Sequence, residues 1–301
     1  VRPDVINVHA PVPGIADITT HIVRDIPVVV TYHAARNITK RGFVLDALTS
    51  LYEGILLHNM LRRASYIISS SAFVRNTLLA PYKTKTTTVT PGVDLVKFSP
   101  KKVAPGAPLL FVGSLHKAER YKGLEHLLAA VAELKQQRKH YRLVVVGDGS
   151  FRSWYESRAA ELDISELVVF RGRLFGEALA NAYRACSLYV HPSTFDSCPL
   201  TVLEAMACGK AVLGSDASGV PYMISEGVDG MLAEAANPSS LASHIDSLLC
   251  NPKLLVRMGQ AARLKVVSKH DWRVIASATD AVLREVTMRS GRDPDQYKVL
   301  I

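Results

Sequence analysis

The chain has 301 residues, of which 48% are hydrophobic and 21% charged, and this balance excludes a disordered protein. The length suits two domains of ordinary size. The net charge of +9 is scattered in short clusters and comes without an RNA-recognition or helix-turn-helix pattern, so we expect no nucleic acid partner.

The chain shows no sequence feature of a membrane-spanning or secreted protein. No apolar run approaches the roughly 18 residues that cross a bilayer, and the first residues have no signal-peptide pattern. The four cysteines form no C-x-x-C pair, which makes a zinc site or a disulfide framework unexpected. We therefore predict a cytoplasmic protein.

The first hundred residues contain short apolar runs typical of buried strands. One run ends at His9, a second ends at Tyr32-His33, and Ala64–Ser69 forms a third. An amphipathic segment covers Phe43–Arg63. Three strands are too few for a complete doubly wound sheet, which fits either a fragment or a naturally short chain. We predict a partial Rossmann-like domain over residues 1–104, followed by a linker at 104–106.

The second predicted domain, over residues 105–271, alternates strands with helices. Apolar positions from Leu124 to Leu134 follow the i, i+3, i+4, i+7 spacing of a helix, and Pro199 and Gly209 frame another. Such alternation predicts βαβ units and a parallel sheet, whose ligands bind at the carboxyl ends of the strands. The predicted strands are Pro108–Gly113, Leu143–Gly147, Leu167–Phe170, Leu188–His191, Ala211–Gly214 and Met231–Ala233.

The C-terminal segment carries one more predicted helix. Its apolar positions run from Ile275 to Val286, within a segment at 272–290 that we expect to cross back to the first domain. The polar stretch at 291–301 is predicted to be a flexible tail.

The segment Phe195–Gly209 combines two acids with a helix start. Asp196 follows a strand, and Glu204 lies on the next helix, seven residues further on. Backbone N–H groups in the turn between them can face an anion and gain from the helix dipole. This pattern suits a ligand that is polyhydroxylated and phosphorylated. On spacing alone, however, a solvated loop acid and a glutamate on the helix surface are the more frequent explanation. The predicted turn residues are Ser197, Cys198, Pro199, Leu200 and Thr201.

Two glycine-containing segments follow other strands of the same domain. In the first, Gly113 lets a phosphate approach the backbone, and Lys122 with Arg120 stands where a diphosphate could be neutralised. In the second, Gly147 and Gly149 form a turn after a strand. Taken alone, each segment also fits an ordinary loop, since a lone G-x-G is a weak signal.

The order and spacing of these segments resemble glycosyltransferase family 4. Pro91–Asp94 (P-G-V-D) precedes them and Val168–Leu174 (V-V-F-R-G-R-L) lies between them, at the places the family pattern requires. The resemblance implies a GT-B fold, an α/β architecture of two Rossmann-like domains facing across a cleft. It covers about residues 4–285 and is strongest over 105–270.

The resemblance also assigns roles to residues. Glu204 matches the helical glutamate that holds the ribose of a nucleotide, and Asp196 stands where a glutamate usually approaches the donor sugar. Lys122 matches a diphosphate-binding lysine, whereas Ser114 replaces the family's arginine and Arg120 is the candidate substitute. The other residues expected to line the donor site are Gly113, Gly147, Gly149, Arg173, Leu174, Ser197, Cys198, Pro199, Leu200 and Thr201.

Two histidines match the family in the first domain. His9 resembles the histidine near the reacting sugar, and His33 resembles one on the acceptor side. The glycine-rich loop that begins such enzymes is not found before Val1, so we expect the N-terminal domain to be truncated and the activity of the chain to depend on that loop.

The implied reaction is retaining transfer of a sugar from a UDP- or GDP-linked donor to an acceptor hydroxyl, carried by a sugar or a lipid. No metal or other cofactor is expected, because cationic side chains and helix N-termini take the place of a metal-binding D-x-D motif. Basic charge permits peripheral contact with a membrane surface. Three alternatives remain: a non-catalytic sugar-nucleotide-binding protein, a sugar-nucleotide epimerase of related fold, and a phosphate-binding module without sugar chemistry.

Overall fold

A computed structural model of the chain describes residues 2–11, 14–33, 47, 50–101, 104, 106–294 and 296–300. The chain divides into two compact units. The first contains Val1–Pro91 and Trp272–Ile301, and the second contains Gly92–Asp271. Each unit is built around one parallel sheet.

The sheet of the first unit has the order β11-β1-β2-β3-β4. Its strands pair in parallel along the whole order. The paired strands that the sequence analysis marked contain the valine and isoleucine runs that burial on two faces requires. The strands are β1 (Val5–Ala10), β2 (Val28–Tyr32), β3 (Tyr66–Ser69), β4 (Thr86–Thr88) and β11 (Val299–Leu300).

Two of these strands were missed in the sequence. Strand β4 is a run of three threonines with little apolar signal. The prediction of a flexible tail at 291–301 is wrong for its described residues, because Val299 and Leu300 pair with Val5 and Ile6 of β1. The Arg292 side chain also donates to the backbone carbonyl of Asp4, so both hydrogen bonds and strand pairing hold the end of the chain.

The helices of the first unit are α1 (Ile15–Ile22), α2 (His58–Arg63), α3 (Ala72–Asn76) and α10 (Trp272–Arg289). A π-helical turn, Tyr52–Leu57, leads into α2, and a 3-10 segment covers Ala80–Lys85. Within the predicted amphipathic segment, Leu57, Met60 and Leu61 are buried. The start of that segment, residues 43–46, lies outside the described residues.

Helix α10 packs its apolar face on the first unit's sheet. Val282, Leu283 and Val286 form a buried cluster with Val5 of β1 and Val29 of β2. The segment after residue 271 therefore contributes to the core of the first unit. Burial of apolar surface stabilises this packing by about 25 cal/mol per Å².

The sheet of the second unit has the order β10-β9-β8-β5-β6-β7, and its strands pair in parallel. The chain enters at the central strand β5, builds outward through β6 and β7, and then returns to β8 on the other side. This change of direction between β5 and β8 is a topological switch point. The strands are β5 (Leu109–Val112), β6 (Leu143–Val146), β7 (Val168–Phe170), β8 (Leu188–His191), β9 (Val212–Ser215) and β10 (Gly230–Ala233).

Two apolar clusters form the core of the second unit. One includes Leu127 and Leu128 of α4 together with Phe111 and Val145 of the sheet, and the other includes Val202 of α7. The α-helices of the second unit are α4 (Leu124–Gln136), α5 (Arg152–Glu161), α6 (Gly176–Ala185), α7 (Leu200–Ala207), α8 (Pro238–Leu249) and α9 (Pro252–Lys269). Short 3-10 segments cover Lys117–Lys122 and Val220–Tyr222.

The boundary between the units lies between Pro91 and Gly92, earlier than the linker predicted at 104–106. The prediction was misplaced because residues 92–101 look like a loop in sequence yet pack on the second unit. Phe98 is buried there, and the Arg184 side chain donates to the backbone carbonyls of Lys97 and Ser99. Within the part of the chain that the structure describes, no helix has both the length and the apolar character needed to cross a membrane.

Candidate functional site

The candidate site lies at the switch point of the second unit's sheet. Parallel α/β sheets bind ligands in the crevice beyond the carboxyl ends of the strands, where neighbouring connections run to opposite faces. Strand β5 ends at Val112 and leads into the segment that carries Lys122. Strand β8 ends at His191 and leads into the loop that carries Asp196. The two loops most important in the sequence analysis therefore start from adjacent strands.

Glycines allow these loops to lie in direct backbone contact. Gly123 has a φ of +77°, and a Cβ at this position would lie 2.0 Å from the carbonyl oxygen of Pro192. At Gly219, a Cβ would lie 1.9 Å from the carbonyl oxygen of Ser197. A backbone hydrogen bond of 2.8 Å, from Thr194 N–H to the Tyr121 carbonyl, joins the loop that follows β8 to the loop that follows β5. Only glycine permits this closeness, so the sequence fixes the spacing of the loops.

Lys122 and Asp196 meet where the loops converge. The Lys122 Nζ lies 2.7 Å from Asp196 Oδ2, and both side chains are largely buried. The same carboxylate oxygen lies 3.2 Å from His191 Nε2, but that nitrogen makes no hydrogen bond of good geometry. On the other side of the ring, His191 Nδ1 lies 3.3 Å from the Tyr189 hydroxyl. The arrangement places a cation and a carboxylate side by side at the crevice.

Asp196 stays ionised in this environment. Burial by itself raises the pKa of its carboxyl, but contact with His191 and the charge of Lys122 outweigh burial and hold the pKa below its usual value. In sequence, His191 was marked only as the last residue of a predicted strand. The ring is indeed buried, and it also lies against the candidate acid.

Helix α7 begins beside this pair. Its N-cap residue is Pro199, whose extended backbone makes the turn into Leu200 and Thr201, and no side chain caps the helix. First-turn N–H groups of a helix have no acceptor within the helix and carry the positive end of its dipole. Ser197 and Cys198 form the turn before it, and the Asp196 carbonyl accepts from Gly219 N–H at 2.7 Å. This end of α7 is suited to an anion.

Glu204 lies one turn further along α7. Its Oε2 accepts a hydrogen bond of 2.8 Å from the hydroxyl of Tyr183 on α6. Burial raises the pKa of Glu204, while the bond from Tyr183 and the positive charge of Lys97 oppose that shift. A half-buried carboxylate held by one phenol is equipped to accept hydrogen bonds from sugar hydroxyls.

Arg120 is engaged elsewhere in the structure. Its guanidinium pairs with Glu125 and lies over the rings of Phe151 and Trp154, 5.7 and 5.1 Å from their centroids. This leaves Lys122 as the cation that the structure places against Asp196. Ser114 is half-buried, and its Oγ lies 3.5 Å from His116 N.

The glycine turn after β6 packs on the loop after β5. Gly147 donates to the carbonyl of Gly172, and a Cβ on Gly147 would lie 1.8 Å from the carbonyl oxygen of Gly113. A Cβ on Gly149 would lie 2.3 Å from the carbonyl carbon of Leu115. The absence of a side chain at Gly147 and Gly149 therefore allows the two loops to pack closely.

Arg173 and Leu174 follow β7 and differ in environment. Arg173 is exposed, whereas Leu174 packs partly on the apolar cluster between sheet and helices. They lie on the opposite side of β5 from the Asp196 loop, because β6 and β7 extend the sheet in that direction.

In the first unit, His9 and His33 lie together. His9 Nδ1 is 2.7 Å from His33 Nε2, and the rings stack with their centroids 4.9 Å apart. Partial desolvation and the neighbouring His9 lower the pKa of His33. Because β1 and β2 are adjacent parallel strands, their carboxyl ends bring the two residues to the same edge.

Sequence reasoning missed Tyr183 and the contact of His191 with Asp196. The only signal was position: Tyr183 lies on an apolar helix face, and His191 at the end of a strand. Within the described ranges, no group of three or more histidine, cysteine, aspartate or glutamate side chains is arranged to hold a metal ion.

Two family models match the chain over most of its length. Glycosyl transferases group 1 matches residues 97–265, more than half of the chain, and Glycosyltransferase Family 4 matches residues 1–97. The two matches meet close to the boundary between the structural units.

Two curated relatives are similar to the chain over most of its length. A glycogen synthase of Mycobacterium tuberculosis strain H37Rv is 28% identical over 288 residues, which cover 93% of this chain and 68% of that protein. A D-inositol 3-phosphate glycosyltransferase of Streptomyces scabiei is 30% identical over 263 residues, covering 80% of this chain and 57% of the relative. The chain is thus shorter than both relatives.

Two solved structures illustrate the similarity of fold. Sucrose-phosphate synthase of Thermosynechococcus elongatus aligns with a TM-score of 0.78 at 21% identity, over 95% of this chain and 74% of that one. Anabaena HepE in complex with UDP aligns with a TM-score of 0.77 at 19% identity, over 93% and 78%. At these identities the likeness establishes the fold, which is GT-B.

Proposed function

Because the chain belongs to the glycosyl transferases group 1 family, and is thus a transferase of GT-B type, we propose that its second unit binds a nucleoside diphosphate sugar for retaining sugar transfer. The observation that carries the proposal is the position of Lys122 and Asp196 at the switch point, beside the uncapped start of α7. The anion-binding elements and the carboxylates for sugar hydroxyls lie in one crevice.

The proposed donor site has three parts. Lys122 and the first-turn N–H groups of α7 bind the diphosphate, because both present positive charge to the same place. Glu204 accepts hydrogen bonds from the ribose hydroxyls. Asp196 approaches the donor sugar with an ionised carboxylate.

The reaction requires stabilisation of the leaving diphosphate, whose negative charge grows as the bond to the anomeric carbon breaks. Donors that are already oriented toward that charge are worth roughly 10²–10³ in rate each. In the proposed mechanism Lys122 and the α7 dipole supply this stabilisation without a metal. The departing phosphate assists deprotonation of the acceptor on the same face, so configuration is retained and no strong protein base is required.

The proposed substrates follow from chemistry and from relatives. HepE has been solved with UDP and with UDP-glucose, which supports a UDP-sugar as the first donor to test, with a GDP-sugar as the second. His9 and His33 are proposed to serve the sugar and the acceptor, respectively. The acceptor is a hydroxyl of a sugar or lipid-linked sugar. Peripheral membrane contact remains a prediction.

The test is isothermal calorimetry with UDP and GDP on the Lys122→Ala and Glu204→Ala variants. Each substitution should lower the affinity for the nucleotide tenfold or more, since each removes a charged partner. Lys117→Ala, an exposed lysine in the same 3-10 segment, and Glu226→Ala, an exposed glutamate, are matched controls and should bind as wild type. Unchanged affinity in both Lys122→Ala and Glu204→Ala would remove the donor site from this crevice.

One alternative has specific support. Asp196 replaces the family's glutamate, is one methylene shorter, and pairs with Lys122. These features favour a protein that binds a sugar nucleotide without catalysing transfer of the sugar. Release of UDP from UDP-glucose with an acceptor present, above the rate of an Asp196→Asn variant, would exclude it. Interconversion of UDP-sugars without an acceptor would instead indicate an epimerase.

A further inference from the structure

Tyr183 is buried completely inside the second unit, and its hydroxyl reaches the proposed ribose-binding carboxylate. The residue lies on α6, with no part of its side chain open to solvent. Its hydroxyl donates to Glu204 Oε2 at 2.8 Å, and Glu204 is its hydrogen-bond partner among the described residues. A carboxylate on one helix is thus tied to a phenol on the neighbouring helix.

The Tyr183 ring is fixed by its neighbours. It meets Phe98 edge-on at a centroid distance of 5.9 Å, and it packs against Tyr189 at 5.6 Å. With aromatic rings on two sides, the hydroxyl points to one place and loses no further freedom when a ligand arrives. Burial raises the pKa of Tyr183 well above its usual value, so the hydroxyl remains a donor.

The bond leaves half of the Glu204 carboxylate available. Oε2 is occupied by Tyr183, whereas Oε1 makes no hydrogen bond to any residue in the described part of the second unit. The bond also opposes the effect of burial on the pKa of Glu204 and so favours the ionised form. An oriented carboxylate with one free oxygen fits the paired 2′- and 3′-hydroxyls of a ribose.

We propose that Tyr183 is a positioning residue that holds the Glu204 carboxylate in the orientation required to bind the ribose hydroxyls of the donor nucleotide. The inference rests on the proposed function, because it assumes that Glu204 faces the ribose. Tyr183 itself does not touch the ligand and acts through Glu204. A ribonucleoside diphosphate is therefore preferred over its deoxy counterparts.

The test compares wild type with Tyr183→Phe, which keeps the ring and removes the hydroxyl. By calorimetry, the variant should bind UDP about tenfold more weakly, the effect typical of a hydrogen bond to a charged group. With 2′-deoxy-UDP and 3′-deoxy-UDP, the difference in affinity between wild type and variant should be clearly smaller than with UDP, because each of these ligands lacks one of the two hydroxyls that Glu204 binds. A purely structural role would weaken all three ligands equally.

A matched control is available in Tyr141→Phe. Tyr141 also donates to a carboxylate, Asp246 Oδ1 at 2.9 Å, on a different part of the same unit. The Tyr141→Phe variant should retain wild-type affinity for UDP. Circular dichroism and thermal melting of both variants show whether the fold is kept, and the ratio of UDP to deoxy-UDP affinities is unaffected by a partly unfolded fraction.

The outcomes separate the two proposals. If Glu204→Gln lowers the affinity for UDP and Tyr183→Phe does not, the positioning role is wrong and the proposed donor site stands. If Tyr183→Phe weakens UDP and both deoxy ligands alike, the positioning role is also wrong. If neither Glu204→Gln nor Lys122→Ala changes UDP affinity, the donor site itself is wrong. The positioning role is supported if Tyr183→Phe in a Glu204→Gln background adds no further loss.

Discussion

The substitution Gly123→Ala tests the close approach of the two loops that form the candidate site. Two costs add at this residue. The backbone has a φ of +77°, a left-handed conformation that costs an L-residue with a Cβ about 1–2 kcal/mol. The new Cβ would also lie 2.0 Å from the Pro192 carbonyl oxygen, whereas ordinary Cβ contacts begin at 3.4 Å.

The second cost cannot be relieved by a rotamer change, because the obstructing atom belongs to the backbone of Pro192. The loops must separate by more than 1 Å, at a cost comparable to overpacking of a core, about 1–3 kcal/mol. The total is about 2–5 kcal/mol, which lowers the melting temperature of a unit of this size by about 4–20 °C. Since the loops carry Lys122 and Asp196, nucleotide affinity should fall with stability.

Gly227→Ala is the matched control. Gly227 has a φ of +74°, and no atom lies within 4 Å of its would-be Cβ, so it carries the conformational cost alone. Differential scanning fluorimetry of both variants isolates the contact with Pro192 as the difference between them. A Gly123→Ala protein that melts within about 2 °C of Gly227→Ala would refute the close approach of the loops, and with it the packing that brings Lys122 to Asp196.

The remaining predictions concern the charged groups of the site. Asp196 has a lowered pKa in the folded state, so it stabilises the fold above its unfolded pKa of about 4, and this contribution is lost as the pH falls through its folded value. The difference in unfolding free energy between wild type and Asp196→Asn, measured with urea, should therefore be constant above about pH 5 and shrink below about pH 4; a constant difference down to pH 3 would contradict the assignment. Arg120→Ala should weaken UDP less than threefold by calorimetry, because Glu125 and Trp154 already engage its guanidinium. A tenfold loss would instead make Arg120 a second diphosphate ligand.

The pair formed by Lys122 and Asp196 has a consequence for binding. The Asp196 carboxylate neutralises Lys122, which removes the cost of an isolated buried charge. In the proposed donor site a diphosphate must share Lys122 with Asp196 or displace Asp196, so it gains less binding free energy than it would from an unpaired lysine.

Sequence determined the architecture of the second unit closely. Short valine and leucine runs mark strands buried on both faces, and Leu188–His191 was bounded correctly. Pro199 and Gly209 framed α7 because a fixed φ starts a helix and a left-handed glycine ends one. In the first unit, β4 is three threonines and β11 is two residues long, so neither has an apolar run from which a strand could be predicted. Two residues at the end of a chain form a strand only when another strand offers its edge.

Tertiary structure alone decided which side chains meet. The spacing from Asp196 to Glu204 is a property of the chain, and so is the glycine at 123. That Lys122 lies 2.7 Å from an acid 74 residues away depends on β5 and β8 being neighbours in the sheet. The bond from Tyr183 to Glu204 likewise depends on how α6 packs against α7. Local patterns encode conformation, whereas contacts between distant residues arise from the order of strands and the packing of helices.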